Sequence, residues 1–460
     1  MKKINRLFLP IVLLGFMTFN FSIAQTQVLF GTCTHGGGVY GTIFQADLDG
    51  SNLHTVHSFV IAEGLWPWGK IVQAPNGKIY GVTYLGGCAD SCTLYEYDPV
   101  ASTCANVYDF YCNPPYSGEP SQNGLISLPD GNLYGLQQNG IIYKFNPNTH
   151  IYTPLQQTAG AVYYGGLTQA TDGKLYGVSF SGGIYNKGYI FNFDLISQMY
   201  SVVYSFDSIH GANPYVENLI QATDGKLYGT ARSGGDNGWG VIFSYDLLSN
   251  NYTVLHNFSY GHSPWGGLIQ ATDGKLYGMT GGYSLGVIFN YDISSGQYLV
   301  LYNFNTTNGV HPQGGLMQAS NGKLFGTTYS GGLNSSGVAF SYDITSSIYS
   351  KLIDFNSTTG YNPQCDILEA TLPIVEGITY ANNSSASIYI DATNQLIVNS
   401  SGLEGKVEIM MFDALGKKVL QAEVNSQKSQ FDMSSYSRGV YFVMLKTEEK
   451  AVTQKIILTK

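Results

Sequence analysis

Five short segments of the chain place a proline beside aromatic, amide or glycine residues. They are Gly64–Trp68, Gly211–Tyr215, Gly261–Trp265, His311–Gln313 and Tyr361–Gln364. Aromatic faces stack on sugar rings, and neighbouring amides hydrogen-bond the hydroxyl groups at the ring edge. The segments therefore suggest a binding site for a glycan or another surface polymer. Its candidate contact residues, which include Tyr164 from a related segment and Trp239 from a glycine-rich loop, are Trp66, Trp68, Tyr164, Tyr215, Trp239, Trp265, Gln313 and Gln364.

The same residues also fit a structural role, because residues that recur along a repeat usually pack between its units. Both interpretations stay open. A second recurring polar residue is expected to hydrogen-bond between units, because a buried amide needs partners. It occurs at Gln73, Gln169, Gln221, Gln270 and Gln318, with Glu369 in the last copy.

A second chemistry would use four histidines, His35, His210, His262 and His311, three of which lie in successive connections. Such a set could hold the metal of a polysaccharide lyase. However, their offsets from the prolines differ, and no paired carboxylates recur beside them. The chain also lacks the G-x-S-x-G, H-E-x-x-H and P-loop motifs. We therefore predict no catalytic residue and no cofactor, and keep the lyase as the alternative to a binding module.

The elements that must position these residues come from a repeat of about 50 residues. A triplet of Leu or Ile, Tyr or Phe, and Gly ends at Gly31, Gly81, Gly135, Gly177, Gly229, Gly278 and Gly326. A complete unit contains four strand-like pieces, with an Asp-Gly or Asn-Gly hairpin turn between the first two. Such a meander buries its faces by stacking radially on its copies. The pattern predicts an all-β chain with a seven-bladed β-propeller over residues 25–371, rather than a β-solenoid with its shorter repeats.

The first unit lacks a first strand, and an isolated copy of that strand, Ile367–Ala370, ends the repeat region. We expect this strand to complete the first blade, because closure removes two exposed sheet edges. Alignment of the first unit with the Leu268–Thr280 hairpin puts Cys33 and Cys365 opposite or nearly opposite each other. A Cys33–Cys365 disulfide is therefore predicted to lock the ring.

The other four cysteines, Cys88, Cys92, Cys104 and Cys112, all fall in the second unit. They could form a zinc site, but their spacing fits zinc motifs poorly and no histidine is near them in the sequence. An even number of cysteines in an exported chain favours local disulfides, whose pairing the sequence leaves open. We assign no metal site.

The N-terminus has the features of an export signal. A basic start at Lys2, Lys3 and Arg6 precedes an apolar stretch and the small-x-small site Ser22–Ala24, which predicts a signal peptide over residues 1–24. Its removal takes the formal net charge from −9 to −12. A net acidic chain without a basic run is not expected to bind nucleic acid. We expect a monomer.

The tail differs from the repeat in pattern and charge. Residues 372–383 are expected to form a linker, and alternating strands follow over residues 384–460. Nine of the 19 basic residues of the mature chain lie in that tail, which indicates a separate domain.

Three blocks of this tail carry a resemblance to a known family. Gly405–Gln421, Gln430–Thr447 and Gln454–Lys460 resemble the type A C-terminal sorting domain of the type IX secretion system. That resemblance implies a small Ig-like β-sandwich, recognition by the type IX machinery, and a secreted or cell-surface location in a diderm bacterium.

The repeat itself, seen clearly in Gly266–Thr280 and Gly314–Thr328, resembles the GloVer tandem repeat. The resemblance covers residues 28–370 and implies no catalytic residue.

Overall fold

The computed structural model describes residues 25–36, 38, 40–87, 92–110, 119–158, 161–215, 218–282, 284–373, 387–390, 395–400, 406–413, 417–424, 428–436, 439–447 and 451–458. Every regular element in these ranges is a β-strand, which confirms the all-β prediction. The predicted signal peptide (1–24), Cys88, Cys112 and most of the predicted linker (372–383) lie outside the described residues.

The repeat region supplies the strands β1 to β28. The first are β1 (Gln25–Cys33), β2 (Thr42–Asp47), β3 (His54–Ser58), β4 (Leu65–Gln73), β5 (Ile79–Leu85), β6 (Thr93–Asp98) and β7 (Thr103–Asp109). Next come β8 (Pro120–Ser127), β9 (Leu133–Gln137), β10 (Ile141–Asn146), β11 (Ile151–Gln157), β12 (Leu167–Gln169), β13 (Leu175–Ser179), β14 (Tyr189–Phe193) and β15 (Tyr200–Ser205).

The remaining strands of this region repeat the same four-strand arrangement. They begin with β16 (Ile220–Gln221), β17 (Leu227–Ala231), β18 (Val241–Asp246), β19 (Asn251–Asn257), β20 (Ile269–Gln270), β21 (Leu276–Thr280) and β22 (Val287–Asp292). The series ends with β23 (Gln297–Asn303), β24 (Met317–Gln318), β25 (Leu324–Thr328), β26 (Val338–Asp343), β27 (Ile348–Asp354) and β28 (Leu368–Pro373).

These strands form seven four-stranded sheets within the described part of the repeat region. Blade 1 has the order β28-β1-β2-β3, so the last strand of the region pairs beside the first. Blades 2 to 7 are β4–β7, β8–β11, β12–β15, β16–β19, β20–β23 and β24–β27. The late strand thus completes a first sheet that the N-terminal repeat leaves one strand short.

The apolar core lies at the seams between neighbouring blades. Seven clusters of buried side chains each draw on two blades. One contains Phe30 of blade 1 and Ile79 of blade 2. Another contains Phe44 of blade 1 and Phe325 of blade 7. The packing therefore runs from blade 1 through blade 7 and back to blade 1, and each sheet buries its faces against two others.

The glycine of the repeated triplet is required by the strand beside it. Gly278 pairs with Phe289 across β21 and β22, and a Cβ at Gly278 would lie 2.6 Å from Cζ of that ring. The same clash, at 2.3 Å, would occur between Gly31 and Phe44. The triplet recurs because a buried aromatic ring of the third strand covers the glycine of the second.

Cys33 and Cys365 lie close together but are free thiols in the structure, so the predicted disulfide is absent from it. The Cys365 thiol instead donates a hydrogen bond to the carbonyl oxygen of Thr32 (3.1 Å) and accepts one from its N–H (2.9 Å). Burial raises the pKa of Cys365 to about 11, and burial also raises the pKa of Cys33. The pairing of β28 with β1 thus closes blade 1 without a disulfide bond. The Cys33–Cys365 disulfide stays a prediction.

The tail contains seven described strands in two sheets. They are β29 (Ser387–Ile390), β30 (Gln395–Asn399), β31 (Val407–Asp413), β32 (Lys418–Val424), β33 (Lys428–Asp432), β34 (Gly439–Lys446) and β35 (Ala451–Leu458). The sheets have the orders β29-β30-β33 and β32-β31-β34-β35. One core joins Leu396 of the first sheet to Ile409 and Val443 of the second. The two sheets therefore share an apolar layer, and the Ig-like topology stays a prediction.

Contacts divide the chain into two compact units, of which Gln27–Leu372 is one. The strands β29–β35 belong to the other unit. The predicted boundaries at residues 371, 383 and 384 stay predictions, because residues 374–386 are not described.

Candidate functional site

The connections between blades and the loops after each second strand lie at the same end of the propeller. Four of the connections form an isolated backbone bridge with the end of the second strand of the blade they enter. Such bridges join Ala212 to Ser233, Pro264 to Thr280, Val310 to Ser330 and Tyr361 to His35. We call this end the loop face. The aromatic and amide residues that follow the connection prolines belong to it.

Three of the predicted contact residues come together in one part of the loop face. The rings of Tyr164 and Tyr215 lie 4.9 Å apart, and those of Tyr215 and Trp265 lie 5.6 Å apart. Phe180 contacts Tyr164 edge-on at 5.3 Å. Arg232 lies over both larger rings, with its Cζ 4.1 Å from the Trp265 centroid and 4.8 Å from the Tyr215 centroid. These five half-buried side chains, the Arg232 cluster, span blades 4 to 6.

A second aromatic group, the His35 cluster, joins blades 7, 1 and 2. His35 stacks on Tyr361 at 5.1 Å and lies 5.9 Å from Trp66. Tyr84 then contacts Trp66 at 6.2 Å and Trp68 at 5.3 Å. Burial lowers the pKa of His35, which favours its neutral form beside these rings. A small surface depression beside Trp68 and Tyr84 is also lined by Pro120 and Gln138.

Trp66 departs from the pattern of its repeat position. It precedes a proline with a backbone φ of +57°, as do Asn213 (+50°), His311 (+57°) and Asn362 (+56°). The two asparagines use this conformation: their Nδ2 groups donate to the carbonyls of Phe180 (3.0 Å) and Tyr329 (2.9 Å). The Trp66 side chain makes no such bond among the described residues, and the left-handed conformation costs about 1–2 kcal/mol. A strained residue without the contact of its repeat favours a role in binding.

The remaining predicted residues lie outside these clusters. Trp239 contacts Tyr260 edge-on at 4.8 Å and packs against the seam between blades 5 and 6, which favours a structural role. Gln313 and Gln364 take the place of Trp265 in the connections into blades 7 and 1, and both are half-buried.

Several buried polar atoms of the loop face have no hydrogen-bond partner among the described residues. They include Trp265 Nε1, His35 Nδ1, Ser284 Oγ and Gln364 Oε1. A buried donor or acceptor without a partner costs about 1–3 kcal/mol, so such groups often mark places where a further molecule binds.

The histidines considered for a lyase do not form a metal site in the described ranges. No group of three ligand-type side chains at coordinating distance includes His35, His210, His262 or His311. His210 instead pairs with Asp207, Nδ1 to Oδ2 at 2.8 Å, and His311 lies 3.2 Å from the hydroxyl of Ser330. The geometry therefore gives no support to catalysis by this set.

Four of the five recurring glutamines hydrogen-bond between blades, as predicted, whereas Gln169 donates to the carbonyl of Gly173 in its own blade. Gln270 of blade 6 accepts from the N–H of Thr223 in blade 5 (2.8 Å) and donates to its hydroxyl (3.2 Å). The same exchange joins Gln221 to Thr171 and Gln318 to Thr272, and Gln73 bonds both backbone groups of Thr371. These amides hold neighbouring blades together.

Sequence reasoning missed Arg232, Phe180 and Tyr84. All three occupy the third position after the triplet glycine, where the copies read Thr34, Tyr84, Gln138, Phe180, Arg232, Gly281 and Tyr329. The signal was present, because this position changes in nearly every copy while its neighbours repeat. Arg232 is also the only arginine between residues 7 and 437.

Comparison with known families agrees with this architecture. Residues 19–222 and 163–390 match the Gloeobacter/Verrucomicrobia repeat. The chain belongs to this repeat family. Residues 391–459 of this family member match the secretion system C-terminal sorting domain, as the tail motifs predicted.

Solved structures give the same fold at low identity. The periplasmic gluconolactonase PpgL of Pseudomonas aeruginosa is 15% identical with a TM-score of 0.51, over 75% of this chain and 99% of that chain. A protein from Lactobacillus plantarum is 13% identical with a TM-score of 0.51, over 76% and 100%. PorZ, a surface component of the type IX secretion system of Porphyromonas gingivalis, is 12% identical with a TM-score of 0.46, over 91% and 63%. This repeat-family chain thus spans about 63% of PorZ. The first two likenesses show a propeller-like fold and nothing more.

The sorting domain identifies the repeat-family chain as a secreted or cell-surface protein of a diderm bacterium, exported by the type IX system. No curated protein matches the chain. In the ranges described above, no helix has the length and apolar character needed to cross a membrane.

Proposed function

We propose that the loop face of this exported propeller binds a glycan or another surface polymer, that the protein acts as a non-catalytic monomer, and that the sorting domain delivers it to the cell surface. The observation that carries the proposal is the run of half-exposed rings from Tyr164 through Tyr215 to Trp265, which crosses three connections. Rings at this spacing offer successive flat contacts to a linear sugar chain.

The Arg232 cluster favours a ligand with acidic groups. Arg232 makes no ion pair with a carboxylate in the described part of the chain. Its guanidinium already lies over two rings, so its orientation is fixed before a ligand arrives. A fixed guanidinium suits the planar carboxylate of a uronic acid, which it can bind through two hydrogen bonds. The mature chain is net acidic, so the Arg232 guanidinium, which has no carboxylate partner in the described part of the chain, is an uncommon positive group on the loop face.

The test is a glycan array that contains neutral and uronic-acid polysaccharides, followed by calorimetric titration of the best binder. We expect the double variant Trp68→Ala, Trp265→Ala to bind about 10- to 100-fold more weakly, because stacking contributes about 0.5–1.5 kcal/mol for each ring. Leu248→Ala is the matched control, since Leu248 is 96% exposed in the turn between β18 and β19, at the opposite end of the blade. Unchanged binding in the double variant would mean that the two tryptophans are structural.

Two Arg232 variants separate charge from packing. Arg232→Gln should weaken binding of uronic-acid polymers but leave neutral polymers nearly unaffected, whereas Arg232→Lys should retain part of the affinity. If no polymer on the array binds the wild-type protein, the binding proposal fails. If a polymer is shortened during the assay in a metal-dependent way, the lyase alternative replaces it.

A further inference from the structure

Neighbouring blades usually meet through a stacked pair of rings on their fourth strands. The pairs are Tyr108–Tyr152 (4.3 Å), Tyr204–Tyr252 (3.8 Å), His256–Tyr298 (3.8 Å) and Tyr302–Tyr349 (3.9 Å). The second tyrosine of two pairs also donates its hydroxyl to a carbonyl of the connection: Tyr252 to His210 and Tyr349 to Asn308, both at 2.6 Å. A tyrosine at this position therefore fills the seam and ties down the connection.

The seam between blades 1 and 2 lacks this stacked pair. His57 keeps the histidine that stands at His256 in the seam between blades 5 and 6, but Cys104 takes the place of the partner tyrosine. Glu63 takes the place of His210 and Asn308, four residues after the phenylalanine that directly follows the fourth strand. A cysteine is much shorter than a tyrosine, and the Glu63 side chain turns into the seam beside it.

His57, Glu63 and Cys104 bring their ligand atoms together at this seam. His57 Nε2 lies 2.8 Å from Glu63 Oε2. One ligand atom of His57, one carboxylate oxygen of Glu63 and Cys104 Sγ all lie within 4.8 Å of one another, and no other group of three such side chains occurs among the described residues. The His57 and Glu63 side chains are only 15% and 19% exposed.

The surroundings hold these groups in place. The His57 ring meets Phe59 edge-on at 5.2 Å, and Glu63 Oε2 also accepts from the N–H of Val60 at 3.2 Å. Cys104 lies opposite Tyr97 in the β6–β7 pairing. Burial and the Glu63 carboxylate raise the pKa of Cys104, so its thiol keeps its proton when no cation is present.

We propose that His57, Glu63 and Cys104 form a binding site for a divalent metal ion of the zinc type at the seam between blades 1 and 2. Imidazole, carboxylate and thiolate are the three side-chain ligands that Zn²⁺ uses in proteins. A tetrahedral ion would separate its ligand atoms by about 3.3–3.6 Å, so His57 and Glu63 need to move apart only slightly. The fourth position is left for water.

The coordination step balances as a proton exchange. The ion replaces the hydrogen bond between His57 Nε2 and Glu63. The proton that Nε2 shares in that bond moves to Nδ1 through solvent, so the imidazole stays neutral and donates its Nε2 lone pair to the metal. Cys104 binds as a thiolate and releases its proton to solvent. No oxidant or reductant is needed. The ion would join the two blades in place of the missing aromatic stack.

The test uses the full chain without its signal segment, produced without a metal-binding tag, reduced and stripped with a chelator. Zn²⁺ is titrated by calorimetry, and Co²⁺ is titrated by absorption. We expect one equivalent of each ion and a thiolate-to-cobalt charge-transfer band. Cys104→Ser should abolish the band, and Glu63→Gln or His57→Gln should weaken Zn²⁺ binding by about tenfold or more. His54→Gln, an exposed histidine on the same strand, should change neither result.

Cys104→Tyr restores the residue of the repeat and keeps the test independent of folding. This variant should fold normally and bind no ion, since it refills the seam while removing the thiolate. Three results would overturn the proposal: no stoichiometric ion in the wild type, full binding in Cys104→Ser, or a native disulfide from Cys104 to Cys88, Cys92 or Cys112. None of these depends on whether the loop face binds a polymer.

Discussion

The two ends of each blade differ in how strictly they follow the repeat. At the hairpin end, the same contact recurs: Asp130, Asp172, Asp224 and Asp273 each accept from the tyrosine hydroxyl four residues later, at 2.7–2.8 Å. At the loop face, the third position after the triplet glycine holds tyrosine, glutamine, phenylalanine, arginine and glycine in blades 2 to 6. The repeated contacts maintain the fold. The positions that leave the pattern are the ones available for binding.

The seams teach the same lesson. Stacked tyrosine or histidine rings join most neighbouring blades, and this contact alone explains their recurrence. At the seam where Cys104 replaces the partner tyrosine, His57 and Glu63 lie beside it, and all three side chains are of metal-ligand type. Departures from a repeat are therefore more informative about function than the repeat itself.

The largest effect should come from breaking the ring. Deletion of residues 365–371 removes most of the strand that pairs with β1 and exposes the apolar seams of blade 1. Ile367 is 3% exposed and Ala370 is fully buried, so we expect a loss of about 3–6 kcal/mol in the free energy of unfolding. Thermal unfolding followed by circular dichroism measures it.

A truncation near residue 380 is the control, since it retains β28 and removes only the tail. Its melting temperature for the propeller should equal that of the full chain. Equal stability of the two truncations would show that the late strand does not close the ring.

The fold was predictable because the same pattern of strands and turns recurs in each unit of the repeat. The triplet glycine, the hairpin turn and the isolated strand near residue 367 predict the all-β architecture and the completion of blade 1 from the sequence alone. Each follows from local chemistry, such as the aromatic ring that covers Gly278. Cys33 and Cys365 were also placed near each other by alignment, although proximity alone did not determine that they would be joined.

The sites were only partly predictable, because their residues meet across repeats. Tyr215 and Trp265 could be found from the sequence because each directly follows the proline of its connection. Arg232 could not be assigned to them, since its side-chain direction depends on packing between blades. His57 is 47 residues before Cys104, and a search for a histidine close to Cys104 in sequence could not find it.

An intermediate effect should separate the two ends of blade 6. Tyr277→Phe removes the hydroxyl that donates to Asp273 at 2.7 Å, and should cost about 1 kcal/mol of stability without changing polymer affinity. Trp265→Ala should lower the affinity for the polymer. It should cost less stability for each unit of ring area removed than truncation of a fully buried ring would, because the Trp265 ring is half-exposed. Denaturant unfolding and calorimetric titration of both variants measure the two properties. If Tyr277→Phe weakens binding as strongly as Trp265→Ala does, the proposed division between the ends is wrong.

The smallest expected effect is on the pH dependence of stability at the seam between blades 5 and 6. Burial lowers the pKa of His256, whose ring stacks on Tyr298. Between the ordinary pKa of histidine, near 6.5, and the lower folded value, the unfolded chain binds a proton that the folded chain does not. Stability should therefore fall as the pH drops below about 6.5. His256→Tyr, which installs the residue of the neighbouring seams, should remove this part of the loss. Melting temperatures at about pH 7.5 and pH 5 measure it, and an unchanged pH dependence in the variant would show that His256 titrates equally in both states.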